Sequence, residues 1–223
     1  MKAAVYAGPG RLQLGDWPEP RIEPGEMLVR VSGCGLCGSD ILKVTSPVTK
    51  APAVFGHEVV GEVVEVGAGV TGFGRGRRVV VAHHVPCFAC HYCRRGSPSM
   101  CRHFKLSNLD PGGFAELCRV PAPNVEHVAF ALPNTMSDET ASFTEPLACC
   151  LRAVKRSGAA PGDTAIVEGL GSIGCQLARP SSAPTSSPTG GRSAAAPAPS
   201  SPTRTPSSMR RSHRPRTGAR STS

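Results

Sequence analysis

Up to about residue 125, the apolar positions fall in short runs rich in valine and other β-branched or aromatic residues, separated by glycine and proline. Regular spacing of such runs predicts a small, mostly antiparallel β domain or distorted barrel. The runs expected to form strands are 3–6, 27–31, 59–66, 79–82 and 114–120.

After residue 136 the pattern changes to one typical of helices. Ser137 precedes two acidic residues and is a candidate N-cap, and a helical pattern covers 140–155, with an interruption expected at Pro146. The β-branched run 164–167 and the glycine-rich turn after it predict a strand, a turn and a helix start. Because Pro180 follows, this last helix is expected to stop after about one turn.

Residues 179–223 contain no Leu, Ile, Val, Phe, Tyr, Trp, Asp, Glu or Lys. A segment of this composition cannot bury a core, so it is predicted to be a disordered tail rich in Arg, Pro and Ser. Eight of the 25 lysines and arginines and none of the 16 acids lie there, which leaves residues 1–178 with a net charge of +1. The basic character of the chain therefore does not support nucleic-acid binding by the globular part.

The N-terminal sequence argues against export and against a membrane partner. An apolar stretch is broken at Gly8 and Pro9, before the core of at least about seven residues that a signal peptide needs. No apolar run is long enough to span a membrane. We therefore expect a cytoplasmic protein, in which the ten cysteines are better explained as metal ligands or buried thiols than as disulfides.

Cys87, Cys90, Cys93 and Cys101 lie within 15 residues on a polar loop. Cysteines three residues apart can wrap one tetrahedral ion, and a fourth closes its shell. Because four sulfur ligands leave no open coordination position, the pattern predicts a structural zinc site. The alternative of four unliganded thiols is disfavoured, since so polar a loop offers little room to bury them.

A second group of candidate ligands consists of Cys37 and the adjacent pair His57 and Glu58, near the ends of predicted strands. A thiolate, an imidazole and a carboxylate suit a zinc ion that keeps one position open for water or substrate. By itself the pattern is not specific, because a histidine beside a glutamate is more often a surface pair.

Five motifs together carry a family resemblance. They are GCGLCGSD at 33–40, GHEVVGEV at 56–63, the four cysteines, EPLA at 145–148 and GLGSIG at 169–174. In order and spacing they resemble the zinc-dependent medium-chain alcohol dehydrogenases, and most of all the sorbitol and threonine dehydrogenases, over essentially all of residues 1–178. The resemblance implies an α+β fold with a GroES-like, mostly antiparallel β catalytic domain over 1–136. A linking helix and an α/β remnant, the start of a Rossmann nucleotide-binding domain, would occupy 137–178, and the tail 179–223 would follow.

The resemblance also implies a role for each candidate ligand. Cys37 and His57 would bind the catalytic zinc, and Glu58 and Glu145 would be the carboxylates that complete or alternately enter its shell. Asp40 would accept a hydrogen bond from the other ring nitrogen of His57 and fix its tautomer. With the structural site, this makes two Zn²⁺ ions per chain.

Ser39 would pass the proton of the substrate hydroxyl outward. A serine at this position is equally well explained as a helix N-cap, and the two roles are compatible. Leu42 stands where some relatives carry a histidine at the outer end of this relay, so the relay would have to end elsewhere.

The activity implied by the resemblance is transfer of a hydride from a secondary alcohol or polyol to NAD or NADP. The pyrophosphate would lie at a helix N-terminus, against the glycine turn. The residues expected to bind it are Gly169, Gly171, Ser172, Ile173 and Gly174. The chain departs from the motif here, since Glu168 would repel the phosphates and no Asp or Glu follows it to bind a ribose.

We expect the chain to be inactive as it stands, because the pattern lacks the further strands of a nucleotide domain. Intact relatives form homo-oligomers through that domain, which argues against the same assembly here. Two alternatives are a zinc-binding fragment without catalysis and, less favoured, a zinc-ribbon protein that binds nucleic acid through its Arg-rich tail. The second is disfavoured because no basic, aromatic face flanks the cysteines.

The composition changes abruptly at Arg179, inside a predicted helix, which supports the hypothesis that the tail is an out-of-frame translation. Translation of the other two frames of the coding DNA beyond Arg179 is then expected to recover a βαβ continuation of the nucleotide domain. If neither frame contains one, the tail is a genuine part of the protein.

Overall fold

The computed structural model of the chain describes residues 1–182, in which eight β-strands and seven α-helices are found. The strands are β1 (Lys2–Gly8), β2 (Arg11–Asp16), β3 (Met27–Gly35), β4 (Ala53–Val54), β5 (Glu58–Val66), β6 (Arg78–Ala82), β7 (Leu117–Val120) and β8 (Ala129–Ala131). The helices are α1 (Gly38–Thr45), α2 (His91–Arg94), α3 (Arg102–Leu106), α4 (Ala122–Val128), α5 (Asp138–Ser142), α6 (Thr144–Ser157) and α7 (Ser172–Ser182). None of these helices is both long and apolar enough to cross a membrane.

The strands form two antiparallel sheets. A five-stranded sheet has the order β7-β3-β5-β6-β8, and a three-stranded sheet has the order β2-β1-β4. The prediction of a mostly antiparallel β domain is therefore confirmed. All five predicted strands are present, as β1, β3, β5, β6 and β7, although β7 begins three residues later than the run that predicted it.

Three strands were not predicted, for two different reasons. β4 and β8 have only two and three residues, which is too short for a hydrophobic pattern to show. β2 lies at the edge of its sheet with most of its side chains exposed, so its leucines do not mark a buried face.

Consecutive valines in β5 and β6 are explained by burial on both faces of the five-stranded sheet. Val59 belongs to the larger core, whereas its neighbour Val60 packs with Val80, Leu132 and Ala141 in a separate cluster on the opposite face. Side chains alternate along a strand, so a run without polar residues is expected where both faces are covered. Both faces of the sheet are therefore covered close to the strand ends that carry the candidate ligands.

The predicted helical region 140–155 is divided into two helices. Ser137 caps α5 as predicted, since its Oγ accepts a hydrogen bond from the Thr140 backbone N–H at 3.2 Å. The break lies at Phe143, however, and the interruption expected at Pro146 is absent. Pro146 is the third residue of α6, where the backbone N–H needs no partner inside the helix, so a proline is tolerated there.

The nucleotide-domain remnant differs from its prediction in two ways. Residues 164–167 form no strand, and Ile166 is 94% exposed, because no neighbouring strand within residues 1–182 pairs with them. The last helix is longer than one turn: α7 covers eleven residues and continues through Pro180 to Ser182. The first four residues of the predicted disordered tail thus belong to α7, and residues 183–223 lie outside the described part of the chain.

Candidate metal centres

Three neighbouring strands bring candidate ligands to one edge of the five-stranded sheet. Since β5 lies between β3 and β6 and pairs antiparallel with both, the end of β3, the start of β5 and the end of β6 lie together. Cys37 follows β3, His57 and Glu58 stand at the start of β5, and His83 follows β6, while Glu145 comes from the first turn of α6. We call these five residues the strand-end cluster.

The donor atoms of the strand-end cluster form two overlapping sets. Those of Cys37, His57 and Glu58 lie within 4.8 Å of one another, and so do those of His57, His83 and Glu145. Thiolate, imidazole and carboxylate are the donors that zinc takes in sites with an open position. The four predicted ligands of the catalytic ion therefore lie in one cluster, with Glu145 joined to the others through His57. Binding of an ion there stays a prediction.

His83 is a member of the cluster that the sequence pattern did not predict. The signal that could have found it is the register of β5 and β6, in which Glu58 pairs with Ala82. Extending this antiparallel register by one residue places His57 opposite His83, and their ring centroids are 4.5 Å apart. A search for motifs along the chain cannot find His83, because it does not include the pairing of β5 with β6.

Asp40 contacts two of the predicted zinc ligands, Cys37 and His57. Its carboxylate is only 1% exposed, and Oδ2 accepts a hydrogen bond from the Cys37 backbone N–H at 3.2 Å. Oδ1 accepts from the Gly56 N–H at 3.4 Å and lies 3.3 Å from Nδ1 of His57. This is the arrangement expected of a carboxylate that orients a metal-binding imidazole through its other ring nitrogen.

The same contacts change the protonation of both partners. Burial alone would raise the pKa of Asp40, but hydrogen bonds from His57 and from the Cys37 and Gly56 backbone outweigh it and lower the pKa. The hydrogen bond with Asp40 is in turn the main reason why the pKa of His57 is raised to about 9. The pair therefore carries opposite charges when no ion is bound.

Ser39 does not cap α1. The N-cap is Cys37, whose Sγ accepts from the Ser39 backbone N–H at 3.5 Å, and Asp40 completes the capping box. The N-cap prediction for Ser39 is wrong because the helix begins at Gly38, so that Ser39 is already its second residue. The exposed Ser39 side chain lies next to Cys37, and its role in proton transfer stays a prediction.

Burial and hydrogen bonds also shift the pKa values of the other members of the cluster. Burial raises the pKa of Cys37, but hydrogen bonds from Ser39 and His57 outweigh it, so its pKa is lowered toward the thiolate that binds metals. Burial raises the pKa of Glu145 and lowers the pKa of His83 to about 3, which keeps this imidazole neutral. A neutral imidazole is the form that binds a metal ion.

The carboxylate of Glu58 occupies space that only a glycine leaves free. A Cβ atom at Gly35, which pairs with Glu58 across β3 and β5, would lie 1.8 Å from Glu58 Oε2. Glu58 itself is 8% exposed. The glycine at position 35 therefore determines where this carboxylate lies.

The second centre is the four-cysteine lobe, formed by Cys87, Cys90, Cys93 and Cys101. Their sulfur atoms all lie within 4.8 Å of one another, with Cys90 to Cys93 at 3.5 Å and Cys87 to Cys101 at 3.6 Å. Bonds of about 2.3 Å from zinc to sulfur imply about 3.8 Å between sulfurs of a tetrahedral site, so these separations fit one ion. Backbone N–H groups of Cys87 and Phe104 also lower the pKa of the Cys101 thiol.

The glycine turn has the predicted form at the start of α7. Gly169 has a φ of 87°, and a Cβ at Gly174 would lie 1.8 Å from the Gly169 carbonyl oxygen. Ser172 and Ile173 are the first residues of α7, so their N–H groups belong to its open N-terminus. Together with Gly171 these are the residues predicted to contact a pyrophosphate, and that role stays a prediction.

Comparison with known proteins identifies the class of this fold. Residues 23–130 match the alcohol dehydrogenase GroES-like domain. A sorbitol dehydrogenase from Halalkalibacterium halodurans is 37% identical over 185 residues, which are 80% of this chain and 52% of that protein. An L-threonine 3-dehydrogenase from Pyrococcus abyssi is 37% identical over 161 residues, 70% of this chain and 45% of that protein.

Solved structures agree with the sequence comparison. A zinc-binding dehydrogenase from Sinorhizobium meliloti 1021, bound to NADP, matches with a TM-score of 0.70 at 32% identity, over 81% of this chain and 52% of that one. The chain belongs to the zinc-type medium-chain alcohol dehydrogenase family, and the predicted resemblance is confirmed. It spans about half the length of the curated relatives it matches.

The space around Glu58 leads to a testable prediction. We expect Gly35→Ala to move the Glu58 carboxylate out of the cluster and to weaken binding of its ion about tenfold to a hundredfold, as loss of an orienting or ligating group does. Folding should change little, because the severe clash is with the end of the Glu58 side chain, and Glu58 Cβ, at 3.1 Å, needs only a small shift. Titration with Co²⁺ measures the affinity.

Gly33→Ala is the matched control, since it lies on the same strand and a Cβ there meets nothing within 4 Å. If both variants bind the second ion like the unmodified chain, Glu58 is not one of its ligands.

Proposed function

We propose that this chain holds two zinc ions and carries the metal-binding half of a dehydrogenase that oxidises secondary alcohols or polyols with NAD or NADP. The observation that carries the proposal is the strand-end cluster, in which Cys37, His57 and Glu58 offer three unlike donors beside a buried Asp40. The relatives named above act on sorbitol and on L-threonine, both of which carry secondary hydroxyl groups.

The residues of the cluster fit a zinc ion. Three protein donors with one position left for a water or substrate are the usual arrangement of a catalytic zinc. The Nδ1 atom of His83 is buried and has no hydrogen bond within the described part of the chain, which is the state of a ring nitrogen that lacks its partner.

When bound, the zinc would supply a Lewis acid for the substrate hydroxyl, and NAD or NADP in a complete dehydrogenase would supply the hydride acceptor. Cys37, His57 and Glu58 hold the ion in this proposal. Asp40 occupies Nδ1 of His57 and thereby leaves Nε2 for the metal. The exposed Ser39 hydroxyl receives the proton of the alcohol and passes it to solvent.

The four-cysteine lobe has the structural role in this proposal. Four sulfurs fill a tetrahedral shell, so no position is left for a substrate. The lobe would stabilise the segment that follows β6, because metal binding and folding of such loops are coupled.

In a complete dehydrogenase of this type, a nucleotide would contact the turn around Gly169 and Gly174 at the start of α7, where free N–H groups can receive phosphate oxygens. We propose polyols, sugar alcohols or hydroxyamino acids as the substrate class, and neither a nucleic acid nor a membrane as a partner. None of the ten cysteines forms a disulfide in the described part of the chain, and the five proposed as ligands must be reduced to bind metal, so we place the protein in the cytoplasm.

Zinc content and nicotinamide binding of the full chain test the proposal in one sample. We expect two zinc ions per chain, and Cys37→Ser should weaken binding at the strand-end cluster at least about a hundredfold while the four-cysteine lobe keeps its ion. Cys34→Ser is the matched control, because Cys34 lies three residues earlier and outside both donor sets.

The same sample is expected not to bind NAD or NADP, because residues 164–167 form no strand and Ile166 is exposed. Titration with the reduced cofactor, followed by its fluorescence, measures nucleotide binding. Saturable binding would show that residues 164–182 suffice to bind the cofactor. One zinc ion per chain, or an unchanged affinity in Cys37→Ser, would contradict the metal assignment and leave a zinc-binding fragment without catalysis.

A further inference from the structure

His83 stands out among the described residues because it lies in the strand-end cluster without an assigned role. Its side chain is 15% exposed, and one of its ring nitrogens lies within 4.8 Å of donor atoms of both His57 and Glu145. Two imidazoles and a carboxylate form a recurrent metal-binding set, found with zinc and with other divalent ions.

The hydrogen bonding of His83 is incomplete in a way that points to a ligand. Its Nδ1 is buried and makes no hydrogen bond within residues 1–182, and the Glu145 Oε1 atom, at 3.9 Å, is too distant to be a partner. A buried polar atom without a partner destabilises a protein. The neighbouring His84 differs, since its Nδ1 is paired with the Ser107 carbonyl oxygen.

We propose that His83 is a second imidazole ligand of the ion at the strand-end cluster, shared with His57 and Glu145. The ion then alternates between two sets of three donors with His57 in common, one containing Cys37 and Glu58 and the other His83 and Glu145, so that one position stays open in either set. This inference rests on the metal-binding function proposed above.

The competing explanation is that His83 serves only for packing. Its ring stands in a row, with ring centroids 4.5 Å from His57 and 3.8 Å from His84, and His84 is in turn 5.0 Å from Phe104. A phenyl ring can take the place of an imidazole in such a row but cannot bind a metal ion. His83→Phe therefore separates the two explanations better than a truncation to alanine.

The experiment uses the full chain with zinc in the four-cysteine lobe and Co²⁺ at the second position. We expect His83→Phe to weaken binding of Co²⁺ at least about tenfold. Loss of a residue that only orients a ligand already lowers metal affinity by about that factor, and loss of a ligand itself should lower it no less. X-ray absorption at the cobalt edge should give a lower imidazole count than in the unmodified chain. His84→Phe is the matched control and should keep both the affinity and the count.

The outcomes distinguish this inference from the proposed function. If Cys37→Ser weakens the second ion while His83→Phe leaves its affinity and imidazole count unchanged, the role of His83 is overturned and the metal site stands. An equal loss of Co²⁺ affinity in His83→Phe and His84→Phe would also overturn it, because it would show that the stacked rings only support the fold. If the unmodified chain binds one ion alone, the proposed function fails and this inference fails with it.

Discussion

The buried carboxylate of Asp40 is the interaction on which the candidate site depends. One oxygen accepts from the Cys37 backbone and closes the capping box of α1, and the other lies beside the His57 ring and the Gly56 N–H. A carboxylate that is 1% exposed is stable only when such partners compensate for its lost hydration. The partners come from α1 and from the start of β5, so the same contacts that stabilise the carboxylate also hold the thiol and the imidazole at their separation.

The two metal centres are connected through the segment that follows β6. His83 and Cys87 are four residues apart, and between them Val85 is fully buried, donates its N–H to Ser107 Oγ at 2.9 Å and accepts at its carbonyl from His103 Nδ1 at 2.8 Å. These contacts tie the four-cysteine lobe to the edge of the sheet. An ion in the lobe therefore restrains the chain that carries His83.

Local patterns in the sequence predicted the parts of the structure that local chemistry determines. The valine-rich strands, the Ser137 cap and the four cysteines were found because each is defined by residues close in the chain. His83 was missed because only the pairing of β5 with β6 brings it to His57. The strand expected at 164–167 is absent for the converse reason: a β-branched run satisfies the local pattern, but a strand needs partners that lie elsewhere.

The affinity of the strand-end cluster for a divalent ion in the Asp40→Asn variant tests the central claim most directly. An amide has only one acceptor oxygen, so it cannot hold both the Cys37 backbone and the His57 ring as the carboxylate does. We therefore predict Co²⁺ binding there about tenfold to a hundredfold weaker, with the four-cysteine lobe unaffected. Asp16→Asn, at a side chain that is 82% exposed, should bind like the unmodified chain. Unchanged affinity in Asp40→Asn would mean that this carboxylate does not hold the site together.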